Sequence, residues 1–401
     1  MARVVFFNIP AYGHINPTLP VIKELAARNE EIFYYATDEF QNAIESTGTT
    51  FCNYDIDQLT DQNIIIEDVF QVSYSLLDVT LKLLKNKLAE IKSKKPDYII
   101  YDTMCPWGKY ISKILDIPAI CSIPIFITNN QMILYFGLNK IERYIQMANR
   151  NKQTRSKIFS LASQLQTNYN LKYTHELDLL TNHSDFNIVY TLRAFHPFDH
   201  IFKDSFKFVG PTINPSKIQT KTDFLQAIKK PIIYISMGTI FNKLPELYRV
   251  CFEALKDTDY NVIISIGNKI ETDQLGEIPK NFIIKKTVPQ LEVLSHASLF
   301  ISHGGMNSVS EALYYKVPLI TIPQALDQHL VSKQLKRLKL GKVLNKENLS
   351  PQDLRDAIDE IIINPVYKKE CEKMGELFQK SNGYFRAIEE IDNFKQIHSI
   401  S

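Results

Sequence analysis

Short apolar runs recur along the chain, and each is followed by amphipathic sequence with a helical period. In the first half, the runs lie near residues 3–9, 31–36, 49–54, 97–102 and 118–123. In the second half, they lie near residues 231–237, 261–266, 281–287, 297–302 and 317–322. Runs of this length rich in β-branched residues are typical of buried strands, and their alternation with helices is typical of parallel sheets. The pattern therefore predicts an α/β protein with two doubly wound parallel-sheet domains.

A stretch rich in proline, glycine and small polar residues separates the two series. It begins at Gly210 and extends to Asp223. Such a composition is typical of a domain linker. We therefore expect an N-terminal domain over residues 1–212, a linker over 213–226 and a C-terminal domain over 227–383.

Composition and charge exclude several classes of protein. The chain has 401 residues, which is enough for two domains, and 45% of them are hydrophobic, as in soluble globular proteins. Because 46 basic residues nearly balance 44 acidic ones, no net field favours nucleic acid or an anionic membrane. The five cysteines lack metal-ligand spacing, and no apolar run is long enough to span a membrane. We expect a cytoplasmic protein with reduced thiols and no stable membrane anchor.

The densest group of polar residues follows the predicted strand at 297–302. It comprises His303, Gly304, Gly305, Asn307, Ser308 and Glu311. The glycines allow a close approach of the backbone to a ligand, and a helix is predicted from Asn307 to Tyr314. Free N–H groups at a helix start, together with these side chains, suit a diphosphate, while Glu311 suits a ribose diol. Taken alone, the two glycines favour a simple turn followed by helix caps, and only the whole set of residues favours a ligand site.

Asp327 and Gln328 follow the predicted strand at 317–322. Residues in this position fall at the carboxyl edge of a parallel sheet, where ligands of open α/β folds bind. A carboxylate beside an amide suits the hydroxyl groups of a sugar.

His14 and Asp102 are the candidates for proton transfer. His14 lies on a predicted loop before a helix that Asn16 would cap and Pro17 would begin. Asp102 ends an apolar strand of the same predicted sheet. Imidazole accepts a proton near neutral pH, and a buried carboxylate can orient it. From the pattern alone, a loop histidine such as His14 is more often structural, and Asp102 can equally cap a helix over 104–115.

These segments together form a long ordered signature. It consists of Gly13-His14 with Pro17, then Pro289-Gln290, then 303–313 ending in Glu-Ala-Leu, and finally Asp327-Gln328. The chain thus resembles the inverting, metal-independent family 1 glycosyltransferases, and in particular the compact bacterial macrolide-type enzymes. That resemblance implies a nucleotide-diphosphate sugar donor and the GT-B fold, in which two Rossmann-like domains face a central cleft.

The resemblance also implies roles for individual residues. His14 would be the general base for the acceptor hydroxyl, with Asp102 as its partner. A turn formed by Ser236, Gly238 and Thr239 would contact the diphosphate. The Val288 backbone would read the base, and Gln290 would lie at the ribose. The last helix, 384–401, would pack back on the first domain.

Two residues depart from the family pattern, and two short motifs bear on whether the protein binds a metal ion. Thr287 stands where many relatives have a tryptophan that stacks on uracil, so thymidine donors remain open. Lys316 stands where relatives usually have glycine at a helix end. Two Asp-x-Asp triplets, at 55–57 and 257–259, are interpreted as surface loops and not as metal sites.

We therefore expect transfer of a hexose, glucose in the first instance, from a UDP-sugar. The acceptor would be a hydroxyl of a hydrophobic small molecule, such as a flavonoid, another phenol or a macrolide. Apolar segments at 60–95 and 118–180 would form its pocket. No metal or other cofactor is expected. The alternatives are a nucleotide-sugar epimerase on the same fold and a catalytically idle sugar-nucleotide sensor.

Overall fold

The chain forms two compact units in a computed structural model. One unit comprises Met1–Thr212 and Gly383–Ser401, and the other comprises Ile213–Asn382. The structure describes residues 1–56, 68–127, 141–173, 179, 181–213, 225, 228, 230–239, 242–324 and 326–401. Of the expected linker at 213–226, only Ile213 and Leu225 fall within these ranges.

The first unit contains a seven-stranded sheet in which every described pairing is parallel. Its strands are β1 (Arg3–Phe7), β2 (Glu31–Ala36), β3 (Thr50–Asn53), β4 (Tyr98–Asp102), β5 (Ala119–Ile123), β6 (Asn187–Val189) and β7 (Phe206–Phe208). Their order across the sheet is β3-β2-β1-β4-β5-β6-β7. The sequence pattern did not predict β6 and β7, which have three residues each.

Helices cover both faces of this sheet and bury two apolar clusters against it. They are α1 (Tyr12–Ile15), α2 (Leu19–Ala27), α3 (Gln41–Glu45), α4 (Val69–Ser93), α5 (Pro106–Leu115), α6 (Ile141–Arg150) and α7 (Lys152–Tyr169). One cluster contains Trp107 of α5 with Leu76 and Leu83 of α4. The other contains Ile22 and Leu25 of α2. Alternate residues of β1 and β4 point into the two clusters, which is why these strands are apolar throughout.

The second unit contains a six-stranded sheet, again parallel in all described pairings. Its strands are β8 (Ile232–Ser236), β9 (Asn261–Ser265), β10 (Phe282–Lys285), β11 (Ala297–Ser302), β12 (Leu319–Thr321) and β13 (Gly341–Val343). Their order is β10-β9-β8-β11-β12-β13. The order reverses direction next to β8, which is the arrangement of a doubly wound sheet.

The described α-helices of the second unit follow each of its strands except β9, and two of them follow β13. They are α8 (Pro245–Leu255), α9 (Gln290–His296), α10 (Met306–Tyr314), α11 (Leu326–Arg337), α12 (Pro351–Ile363) and α13 (Pro365–Lys380). A core of aliphatic side chains from β8, β9 and β11 packs against α8 and α12. Both units thus have the predicted α/β class, and the chain has the GT-B type of fold.

The final helix, α14 (Gly383–Ile397), packs on the first unit. Its buried face includes Ile388 and Ile391, which join the cluster around Ile22. The ring of Phe394 lies 5.2 Å from that of Phe186. A Cβ atom added to Gly383 would lie 2.2 Å from the Pro211 carbonyl oxygen, so the helix starts in close contact with that backbone.

The start of the first βα connection differs from the prediction. His14 lies in the one-turn helix α1 and not on a loop, and Asn16 follows the end of that helix. The longer helix begins at Leu19, with Thr18 as its N-cap residue. The prediction failed because Pro17 is not the only proline available: Pro20 also fits the first turn, where no N–H is needed.

A second local prediction concerned Asp102. The helix that follows it begins at Pro106, and its N-cap residue is Cys105. Asp102 therefore does not cap that helix. No helix within the described ranges has the length and apolarity that crossing a membrane requires.

The place of α14 can be tested with the single tryptophan. Trp107 is fully buried in the first unit, so its fluorescence reports the unfolding of that unit. Ile388→Ala should lower the free energy of unfolding seen by Trp107 by about 2–5 kcal/mol, because it opens a cavity in that unit's core. Denaturant titration measures this. Ile358→Ala, an equally buried change in the second unit, is the control. An unchanged Trp107 midpoint in Ile388→Ala would contradict the assignment of α14.

Candidate active site

The His14 side chain is paired with Asp102. The Nδ1 atom of His14 lies 2.8 Å from Oδ2 of Asp102. The histidine side chain is 14% exposed, whereas the aspartate is fully buried. A carboxylate only accepts hydrogen bonds, so Nδ1 carries a hydrogen and donates it. The lone pair of the neutral ring is therefore on Nε2, which is the atom able to take up a proton.

Strand pairing explains how residues 88 positions apart meet. Phe7 of β1 lies beside Tyr101 of β4 in the parallel register, so these two strands end at the same edge of the sheet. The other oxygen of Asp102 accepts a hydrogen bond of 2.8 Å from the Met104 backbone N–H. Because the backbone holds one oxygen of the Asp102 carboxylate, the other oxygen faces Nδ1 of His14.

Buried polar groups also hold the backbone of α1. The Asn8 amide nitrogen donates to the His14 carbonyl oxygen at 3.1 Å and to the Tyr34 hydroxyl at 2.8 Å. The Tyr34 hydroxyl lies 2.7 Å from Oγ1 of Thr18, which donates to the Ile15 carbonyl. Asn8, Thr18 and Tyr34 are all fully buried. Sequence reasoning missed them, although a polar Asn8 directly after a buried strand was a usable signal.

In the second unit, the imidazole ring of His303 lies between two glycines. A Cβ atom added to Gly238 would lie 2.7 Å from the ring, and one added to Gly305 would lie 2.4 Å from it. Desolvation lowers the pKa of His303 to about 4, and a hydrogen bond with the Ser236 backbone partly offsets this. The ring is therefore neutral at pH 7 and can donate one hydrogen bond without carrying a charge.

The backbone around His303 has the form that the Gly-Gly pair predicted. Gly304 has φ +83°, a region that favours glycine, and an added Cβ atom would lie 2.6 Å from Oγ of Ser332 in α11. Gly305 is the N-cap residue of α10, and no side chain caps the helix there. Asn307 and Ser308 lie half-buried in the first turn. This helix start offers backbone N–H groups and polar side chains to an anion.

Glu311, one turn further along α10, is bonded to Gln290 at the start of α9. The Gln290 amide nitrogen donates to Oε2 of Glu311 at 2.6 Å, and Oγ of Ser308 lies 3.5 Å from the same nitrogen. Burial raises the pKa of Glu311 to about 7, with the Gln290 hydrogen bond acting in the opposite direction. The pair that the family resemblance places at the ribose is thus already assembled.

Gln290 is in turn held by Tyr234, a residue that the sequence did not single out. The Tyr234 hydroxyl donates to the Gln290 amide oxygen at 3.0 Å. Its ring is buried in β8 and stacked on Phe300 of β11, with centroids 4.8 Å apart. A tyrosine in a buried strand signals that its hydroxyl has a partner, and this signal was available in the sequence.

The remaining candidate residues lie at the ends of strands in the same sheet. Ser236 of β8 pairs with Ser302 of β11, which pairs with Thr321 of β12, so these strands end in line. Gln328 is buried in the first turn of α11, and its amide oxygen accepts from the Gln324 backbone N–H at 2.8 Å. The half-buried residues are Asp327 and Val288, and the exposed ones are Thr239 and Thr287. The structure thus gathers the predicted donor-binding residues in the second unit and the His14–Asp102 pair in the first.

The described aspartates of the Asp-x-Asp triplets are exposed at the surface. Asp55 is 65% exposed and paired with Lys87, while Asp57 lies outside the described residues. Asp259 is fully exposed beside Lys230. Within the described ranges, no cluster of three or more histidine, cysteine, aspartate or glutamate side chains could hold a metal.

The Lys316 departure has a clear backbone consequence. This residue follows the C-terminal end of α10 and has φ +61°. The position thus requires the left-handed region, where a non-glycine residue costs about 1 kcal/mol.

Comparison with known proteins identifies the family. Residues 24–381 match the family described as UDP-glucoronosyl and UDP-glucosyl transferase. The chain belongs to this family. The protein is therefore an enzyme, a UDP-sugar glycosyltransferase, as the signature predicted.

Several of its relatives are bacterial glycosyltransferases of nearly the same length. The UDP-glucosyltransferase YojK of Bacillus subtilis, itself uncharacterised, is 33% identical over 98% of this chain and 97% of that protein. The NDP-glycosyltransferase YjiC of Bacillus licheniformis is also 33% identical, over 98% of this chain and 97% of that protein. The calicheamicin glycosyltransferase CalG4 has a similar fold, with a TM-score of 0.82 at 24% identity, covering 99% of this chain and 98% of that one.

The packing of His303 between glycines generates a prediction. In Gly305→Ala the new methyl group would displace the ring, which cannot move away because Gly238 lies behind it. We expect kcat/KM for sugar transfer to fall by about 10²-fold, since small displacements in a site have effects of that order. Steady-state kinetics measure this.

Gly276→Ala serves as the control for that variant. Gly276 has a positive φ, +83°, whereas Gly305 has φ −65°, and a Cβ atom added to Gly276 would have no neighbour within 4 Å among the described residues. Its strain should lower the stability of the unit while kcat/KM stays near the wild-type value. Equal losses of activity in the two variants would show that general destabilisation of the unit, and not the His303 contact, is responsible.

Proposed function

We propose that this UDP-sugar glycosyltransferase moves glucose to a hydroxyl group of a hydrophobic small molecule, such as a phenol, a flavonoid or a macrolide, with inversion at the anomeric carbon. His14 is the general base and Asp102 is its partner. No metal or other cofactor takes part. The observation that carries the proposal is the 2.8 Å contact between Nδ1 of a slightly exposed His14 and the buried Asp102 carboxylate.

The pair has the properties that deprotonation of an alcohol requires. Asp102 fixes the tautomer so that Nε2 can accept the hydroxyl proton, and it stabilises the imidazolium that results. As the proton moves to Nε2, the acceptor oxygen forms a bond to the anomeric carbon and the bond to the diphosphate oxygen breaks. UDP then leaves with its electron pair, and the proton on His14 passes to solvent.

The donor-binding residues have complementary chemistry. The α10 start and the Ser236–Thr239 turn, which are packed around the neutral His303 ring, offer N–H and O–H donors to the diphosphate. Glu311 and Gln290 suit the ribose hydroxyls, and the Val288 backbone suits the base. Asp327 and Gln328 suit the hydroxyls of the sugar. None of these contacts requires a metal ion to offset the charge of the diphosphate.

The choice of glucose and of a hydrophobic acceptor draws on the relatives and on composition. YojK is described as a UDP-glucosyltransferase. The oleandomycin glycosyltransferase of Streptomyces antibioticus, 24% identical over 98% of this chain and 90% of that protein, is named for a macrolide. In this chain the helix Val69–Ser93 falls in a segment expected to line the acceptor pocket. Part of the other segment, residues 128–140, lies outside the described ranges.

Mass spectrometry of reaction mixtures tests the proposal. The protein is incubated with UDP-glucose and a panel of phenols, flavonoids and macrolides in the presence of a chelator, beside a parallel TDP-glucose series. A hexose adduct with UDP-glucose is the expected result. Donor consumption without any acceptor would indicate an epimerase, and donor binding without conversion would indicate a sensor. Either would overturn the proposal.

Variants of His14 and Asp102 test the roles of these two residues in the same assay. His14→Ala should give no adduct while UDP-glucose still binds, because only the proton acceptor is lost. Asp102→Asn should lower kcat by about 10²–10⁴-fold, since the tautomer is no longer enforced. His200→Ala is the control, because that side chain is 74% exposed and outside both groups of site residues. A wild-type rate in His14→Ala would exclude His14 as the base.

The raised pKa of Glu311 makes donor binding dependent on pH. The carboxylate accepts from ribose hydroxyls, and below its pKa of about 7 the group is protonated and neutral. The Kd of UDP-glucose should therefore rise by about tenfold between pH 8 and pH 6, as expected for a single proton. His303, with a pKa of about 4, does not titrate in this window.

Isothermal titration calorimetry across the pH series measures this dependence. Glu311→Gln should bind more weakly at pH 8 and lose the dependence, because its amide does not titrate. The same tenfold rise in Glu311→Gln would show that another group is responsible.

A further inference from the structure

Tyr234, Gln290 and Glu311 form a chain of hydrogen bonds across three elements of the second unit. The Tyr234 hydroxyl of β8 donates to the Gln290 amide oxygen at 3.0 Å, and the Gln290 nitrogen donates to Glu311 of α10 at 2.6 Å. One end of the chain is a buried core residue, and the other is the carboxylate that the proposed function places at the ribose. The core is thereby connected directly to the donor site.

The Gln290 amide is held at both ends, by the Tyr234 hydroxyl and by the Glu311 carboxylate. A glutamine amide has an oxygen at one end and a nitrogen at the other, and it can turn by half a rotation about its last bond. Because the Glu311 carboxylate only accepts hydrogen bonds, the amide nitrogen must face it, and the Tyr234 hydroxyl then donates to the amide oxygen at the other end. In the opposite orientation, the amide oxygen would face the Glu311 carboxylate, and the two acceptors would repel each other.

The hydroxyl group is not needed to fill the core. The Tyr234 ring is 1% exposed and stacked on Phe300 at an interplanar angle of 7°, and phenylalanine would keep that packing. Tyr248 of α8 offers a contrast in the same unit. It is also fully buried, but its hydroxyl has no hydrogen-bond partner among the residues that the structure describes. A buried tyrosine in this unit therefore does not of itself require a bonded hydroxyl.

We propose that Tyr234 is a positioning residue that sets the preference of the donor site for ribose over 2′-deoxyribose. The inference rests on the proposed function, in which Glu311 accepts from the ribose diol. By fixing the Gln290 amide, Tyr234 holds the Glu311 carboxylate in place for the 2′-hydroxyl. A 2′-deoxy donor lacks that hydroxyl and gains nothing from the arrangement. Tyr234 thus favours the ribonucleotide donor without touching it.

The test compares UDP-glucose with 2′-deoxy-UDP-glucose, which share the same base and sugar. The discrimination ratio is kcat/KM for the first divided by kcat/KM for the second. In wild type this ratio should exceed about tenfold, as a hydrogen bond to a charged group predicts. In Tyr234→Phe the ratio should fall by about threefold to tenfold, with most of the change in the KM of UDP-glucose.

Two further variants separate positioning from general destabilisation. Tyr248→Phe removes a buried hydroxyl that has no hydrogen-bond partner in the described part of the chain, so its ratio should stay at the wild-type value. In a Gln290→Ala background, Tyr234→Phe should have no further effect, because the residue through which it acts is absent. A loss of packing alone would lower kcat/KM for both donors equally and leave the ratio unchanged.

The outcomes distinguish this inference from the proposed function. If wild type transfers from neither donor and binds neither, the proposed function fails. If wild type uses both donors without discrimination, or if Tyr234→Phe keeps the full ratio, only the positioning role is overturned. An equal effect of Tyr234→Phe with and without Gln290 would also overturn it.

Discussion

Parallel pairing of strands is the constraint on which both groups of site residues depend. In a parallel sheet all strands end at the same edge, so residues that follow different strands meet there regardless of their distance along the chain. His14 and Asp102 meet in the first unit in this way, since Phe7 pairs with Tyr101. In the second unit, the ends of β8 and β11 bring Ser236 beside Ser302 and so place His303 near Gly238.

Close packing then fixes the positions of the side chains that meet at these strand ends. His303 is held between two glycines, and Gly304 places the same turn against α11. The lack of side chains at these positions is what permits the ring and the backbone to come so close. The same packing removes water from the imidazole, which lowers the pKa of His303 and keeps the ring neutral. The close contacts of the His303 ring and its lowered pKa thus have the same cause, which is the packing of the ring between the two glycines.

Buried polar residues hold both groups of site residues in position through hydrogen bonds. Asn8 and Tyr34 hold the backbone of α1, and Tyr234 holds Gln290. In each case, a polar side chain lies in or directly after a buried strand, where an unsatisfied polar group would be costly. Such residues have no contact with substrate in the proposed function. They determine how far the residues that do make contact can move.

The sequence by itself determined the α/β class, the order of most strands along the chain, and the family, because apolar periodicity and ordered motifs are local properties. The identity of His14, Asp102, His303 and Glu311 as candidates came from the same local patterns. The position at which a helix begins was less certain, because both Pro17 and Pro20 suit a first turn. Only the tertiary structure decided that α1 precedes Leu19 and that Cys105, not Asp102, caps the next helix.

The tertiary structure also decided which side chains are bonded and how they titrate. The contacts of Tyr234 with Gln290 and of Asn8 with His14 depend on distances across strands and helices that no local pattern contains. The raised pKa of Glu311 depends on burial by residues from distant parts of the second unit. Local periodicity specifies what each segment becomes, whereas desolvation and hydrogen-bond partners arise only when the segments pack together.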